Sequence, residues 1–101
     1  MFDLTTRVTA RLDAINGRSR EETALRIMKV TEEAGEVAAA WIGTLGQNPR
    51  KGITHTTDDV ANELADVVLA ALVAIATLDR DPAEVVAACV GKVANRFPPT
   101  P

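Results

Sequence analysis

The sequence predicts an all-α fold, a four-helix bundle completed by dimerisation. Apolar residues recur at three- and four-residue steps, and no strand signal interrupts them. Cap and stop signals punctuate the chain at Asn16-Gly17, Ser19, Thr57 and Asp81-Pro82. The composition is 47% hydrophobic but only 3% aromatic, with Ala and Val dominating the apolar set. Small side chains suit close helix contacts. They also make a thin core for a lone chain of 101 residues, so a partner subunit is expected to finish it.

The first helix is expected from about Leu4 to Ile15, with Val8 and Leu12 on its apolar stripe. Ser19, followed three residues later by Glu22, reads as a capping box opening the second helix. That helix carries Leu25, Met28, Val37, Trp41 and Ile42 and ends near Gly43 to Gly46. The stretch from Gly43 to Thr57 has no period and reads as a long loop. Loops of this length are uncommon in compact domains and often functional. Arg50, Lys51 and His55 could close from it over a substrate.

Thr57 or Asp58 is expected to cap the third helix, which continues to Leu78. Its apolar run from Val67 to Ala76 falls short of the ~20 residues of a membrane span and reads as a buried segment. Asp81 as N-cap and Pro82 at the first helical position start the fourth helix, which runs to about Asn95. Residues 96–101 are read as a frayed tail of a single domain, 1–101.

A net charge of −3 and a pI near 5.0 argue against nucleic acid as partner, because such binding needs a basic face. Cys89 is the single cysteine, so no intrachain disulfide can form. That fits the reducing cytoplasm, the expected location. The opening Met1-Phe2-Asp3 has no apolar core segment and is not read as a signal peptide. No membrane partner is expected.

The informative residues are acids in apolar surroundings. Glu33 and Glu36 stand three apart, as do Glu63 and Asp66, so each pair shares a helix face. Asp66 is followed by Val67, Val68 and Leu69, which predicts at least partial burial. Burying an unpaired carboxylate costs several kcal/mol or forces it to take a proton. Glu32 and Glu36 add a like-charge i,i+4 pair, with Lys29 the one cation in reach. A hard divalent ion, Mg²⁺ or Mn²⁺, would supply the missing charge through oxygen ligands. The plainer reading of a Glu-rich helix is a solvated face. Two such pairs on two apolar helices favour the metal.

This pattern, Glu32-Glu33-x-x-Glu36, a spacer of 26 residues, then Glu63-x-x-Asp66, resembles the MazG-type all-α nucleoside triphosphate pyrophosphohydrolases. The segment Lys92-Val93-Ala94-Asn95-Arg96-Phe97-Pro98 is similar to that family's basic closing segment. The resemblance covers roughly Arg26 to Pro98. It implies a helical bundle assembling as a dimer or tetramer, with Mg²⁺ at the four acids. It implies hydrolysis of nucleoside triphosphates between the α- and β-phosphates, in nucleotide-pool housecleaning. Glu33, Glu36, Glu63 and Asp66 would ligate metal, and Glu32 would sit behind them or position water. Lys92, Asn95 and Arg96 would contact phosphate or sugar, and Lys29, beside the acids, and Trp41 would join them in binding substrate.

Trp41 can be read as core, as interface or as a base-stacking platform. Lys92 and Arg96 also suit the negative end of a helix without any substrate. Glu21, Glu22, Asp58, Asp59, Asp79 and Asp81 need only a capping or solvent role. Two other functions fit the acids: a phosphoribosyl-ATP pyrophosphohydrolase, and a non-catalytic regulatory helical dimer that binds metal or nucleotide.

Overall fold

The computed structural model describes residues 1–100; Pro101, within the expected tail, lies outside them. Four helices follow one another, α1 (Phe2–Asn16), α2 (Arg20–Leu45), α3 (Thr57–Thr77) and α4 (Pro82–Ala94), with no strand among the described residues.

The caps explain most of the boundaries. The Ser19 hydroxyl accepts the Glu22 N–H at 3.0 Å, but the Glu22 side chain does not return to Ser19, so only half of the expected box forms. The complete box opens α3 instead. Thr56, not Thr57 or Asp58, is the N-cap: it accepts the Asp59 N–H at 3.2 Å, and the Asp59 carboxylate accepts the Thr56 N–H at 2.8 Å. At α4, Asp81 accepts the Ala83 N–H at 2.9 Å and Pro82 follows it, as expected. Helix α2 runs to Leu45 and stops at Gly46, whose left-handed φ of 61° suits glycine. The connecting loop is correspondingly shorter than expected.

Helix α3 is central. It packs along α2 on one side and against α1 on another. Arg26 meets Thr77 at one level and Glu33 and Glu36 meet Glu63 at another, so α2 and α3 run antiparallel. Ala40, Leu72 and Ala74 form the buried apolar core. Thr5, Thr9 and Thr77 are buried beside them, and each hydroxyl donates to the carbonyl four residues back, at 3.1, 2.8 and 2.8 Å.

Helix α4 buries no residue, and its main contact is with α3. The molecule is a slab of 51 × 46 × 20 Å with a radius of gyration of 17.0 Å. A compact chain of this length has about 13 Å.

This shape corrects the expectation that α3 is buried nearly all round. Leu64 and Val68 are 50% and 49% exposed, and Asp66 is exposed as well. The slab covers α3 only where α1 and α2 lie against it. By length and composition alone α3 could cross a bilayer, but it carries Glu63 and Asp66 and is the packing centre of the other helices.

Candidate metal centre

Antiparallel packing of α2 on α3 brings Glu33, Glu36 and Glu63 together. One carboxylate oxygen from each lies within 4.8 Å of the other two. Glu33 and Glu63 are half-buried, whereas Glu36 faces solvent. Asp66, one turn beyond Glu63, does not join this triad at that distance. It lines the same groove as Glu33, and its charge reaches Glu63.

Glu63 is the constrained member. Its Oε2 is buried and has no hydrogen-bond partner. Desolvation pushes its carboxyl above the usual glutamate range. The charge of Glu36, a hydrogen bond with Glu36, and the charges of Asp66 and Glu33 add to the shift. A proton held on Glu63 or a cation among the carboxylates would each relieve this arrangement.

The nearest cation is already engaged. Lys29 Nζ lies 2.6 Å from Glu32 and 3.3 Å from Glu33. Hydrogen bonds to Glu32 and then Glu33 hold its ammonium above the ordinary lysine range. Glu32 therefore faces outward on Lys29 and stays outside the triad. Glu33 is left sharing one exposed ammonium.

The other expected substrate contacts are not gathered here within one chain. Lys92, Asn95 and Arg96 are exposed at the end of α4. Trp41 is half-exposed, at 50%, so it is not a core residue. The connecting loop folds back on α2: the Thr54 N–H donates to the Gly43 carbonyl at 3.0 Å, and the Thr54 hydroxyl pairs with His55 Nδ1 at 2.8 Å. Arg50 and Lys51 point to solvent from this loop.

The sequence reading missed Arg26. This guanidinium is 5% exposed and bonds Glu22 and Asp13, both at 2.7 Å, the Gly17 carbonyl at 3.1 Å and the Thr77 hydroxyl at 3.2 Å. Burial works against its charge, but the hydrogen bonds it donates to Asp13 and Glu22 more than compensate. Glu22 is thus an ion-pair partner, not merely a residue near a helix start. The signal was its i,i+4 spacing to Arg26 on a face shared with Leu25 and Lys29.

Set against family models, curated proteins and solved structures, the chain matches none. The functional reading rests on the geometry and on the spacing of the acids.

Proposed function

We propose that this protein is a Mg²⁺-dependent nucleoside triphosphate pyrophosphohydrolase releasing monophosphate and pyrophosphate. The observation that carries the reading is the convergence of Glu33, Glu36 and Glu63 within 4.8 Å around a buried, unpartnered Glu63 oxygen. All the donors are hard carboxylate oxygens, which fit Mg²⁺ or Mn²⁺ rather than a softer ion. Glu33, Glu36 and Glu63 would hold the ion, with Asp66 at the edge of the cluster. Bound there, the metal would offset phosphate charge and polarise the scissile phosphorus.

The chain's own residues supply the rest. Lys29 orients Glu32 and Glu33 through its two contacts. Glu32, left free to accept on its second oxygen, is placed to orient a water or take its proton. Lys92, Asn95 and Arg96 are the remaining cationic and amide donors for a triphosphate, in the orienting role common to phosphoryl transfer.

The test is a panel of nucleoside triphosphates and phosphoribosyl-ATP with Mg²⁺, resolving the phosphate products. Monophosphate plus pyrophosphate, lost on Glu63→Gln and Asp66→Asn, is the expected result. Diphosphate plus orthophosphate overturns the cleavage position. An inert protein whose melting temperature still rises with Mg²⁺ moves the reading to a non-catalytic metal-binding regulator.

A further inference from the structure

The loop that leads from α2 to α3 seats one side chain on the helix face that carries the carboxylates. Gly43 and Glu36 are seven residues apart on α2, two turns along a common face and about 10 Å. His55 lies over Gly43: a methyl there would run into its Nδ1 and Cγ. Glycine is thus the seat that lets the ring come down onto α2. Ala39 and Ala40 flank the line from Gly43 to Glu36, so no long side chain of α2 stands between the ring and the carboxylates. On α3, one turn before Glu63, the Asp59 carboxylate is turned back onto the Thr56 N–H at 2.8 Å.

The ring is held by one edge. Its Nδ1 pairs with the Thr54 hydroxyl at 2.8 Å, and the Thr54 N–H is itself fixed on the Gly43 carbonyl at 3.0 Å. His55 is half-buried, and Nε2 is on the edge away from Gly43. With the Thr54 hydroxyl donating to Nδ1, the ring hydrogen stands on Nε2 as an outward donor. The cations nearer the cluster are already engaged: Lys29 with Glu32 and Glu33, and Arg26 with Asp13 and Glu22.

We propose that His55 Nε2 binds the outer phosphates of a triphosphate held at the carboxylates, the pair released as pyrophosphate, with Thr54 its positioning residue. This rests on the reading of Glu33, Glu36 and Glu63 as a metal site for triphosphates. With the phosphate chain held at that cluster, its outer end extended toward Gly43 meets the ring. Negative charge builds on the pyrophosphate as its bond to the α-phosphate breaks, and a donor already in place there needs no reorganisation.

The probe is Mg²⁺ with methylenediphosphonate, a pyrophosphate mimic that cannot be hydrolysed. His55 is the only histidine, so nitrogen NMR assigns its ring without ambiguity. The Nε2 signal is expected to move with the probe, and to stay with Mg²⁺ alone or with the probe in Glu63→Gln. His55→Asn keeps an amide in the place of Nδ1 and removes the outer donor. It is expected to weaken the probe roughly tenfold, the worth of one hydrogen bond to a charged group, with hydrogen exchange across residues 46–56 as in wild type. His55→Gln, whose amide reaches the place of Nε2, is expected to recover most of that loss. An Nε2 signal indifferent to bound probe, or a His55→Asn variant that binds it as wild type does, overturns the proposal even where triphosphates are cleaved. So does a probe that does not bind. A signal that moves in a protein without turnover overturns the reaction and keeps the phosphate contact.

Discussion

Arg26 Nη1 lies 2.7 Å from Asp13 Oδ1, and this one contact ties the end of α1 to the beginning of α2. The same guanidinium reaches Thr77 at the end of α3, so three helices meet on a single buried charge. Removing it leaves Asp13 with Arg18 at 3.4 Å and Glu22 with Asn16 at 3.2 Å, on side chains only 24% and 14% exposed. Arg26→Ala is expected to cost roughly 3 kcal/mol, the low end for a broken buried pair because both acids keep some water. Urea unfolding measures it. A loss near zero would mean that the hub holds nothing together.

Glu63 gives stability a pH dependence of defined sign. Its carboxyl is pushed above the ordinary range by desolvation and by Glu36, so the folded chain takes up that proton before the unfolded chain does. Without divalent metal, its contribution to stability rises as pH falls through the raised value and levels off below the unfolded one. Glu22 acts oppositely. Hydrogen bonds from Arg26 and then Asn16 hold it low, so its stabilisation is lost as pH falls through its lowered value. The difference in melting temperature between wild type and Glu63→Gln isolates the first effect. The variant should be the more stable at neutral pH, and the gap should close on acidification.

Divalent metal should reverse that order. Mg²⁺ at the carboxylates favours their charged forms and competes with the proton on Glu63. Millimolar Mg²⁺ is expected to raise the wild-type melting temperature at neutral pH, to do less in acid, and to leave Glu63→Gln nearly unmoved. Equal stabilisation of both proteins would place the ion elsewhere.

Gly43 tests the seat of the connecting loop. An alanine methyl there would collide with the His55 ring and the Thr54 hydroxyl. Glycine to alanine inside a helix ordinarily gains up to about 1 kcal/mol. Here the collision decides the sign, and Gly43→Ala is expected to destabilise by about 1–3 kcal/mol, the usual cost of overpacking. Hydrogen exchange across residues 46–56 should quicken in the variant.

The helices were legible because their caps and their 3.6-residue period are local. Asp81-Pro82 and Ser19 announce themselves within one turn. The meeting of Glu33 and Glu36 with Glu63 was legible for a related reason, since two i,i+3 acid pairs on neighbouring helices have few ways to be placed. What escaped reading was non-local. Nothing near Arg26 in sequence announces Thr77, and nothing in α3 alone tells which apolar side chains α1 and α2 will cover. Asp66 is the clearest case: its apolar neighbours predicted burial, yet the slab leaves it on an open rim. The choice of Thr56 over Thr57 as cap turned on Asp59 reaching back to the Thr56 N–H, a matter of one residue in register.

Two residues past the end of α3 stands a left-handed residue, Asp79 at φ 59°, a conformation few side chains other than Asp, Asn and Gly tolerate. Arg18 braces it, donating to the Thr77 carbonyl at 2.6 Å and to the Asp79 carboxylate at 3.1 Å. Beyond it only Arg80 precedes the cap of α4, so the connector has no slack. The heading on which α4 leaves the body is therefore set like a rudder by one peptide unit and one arginine. A substitution at Asp79 or Arg18, remote from every carboxylate of the cluster, would steer the last helix elsewhere without disturbing how any of the helices folds.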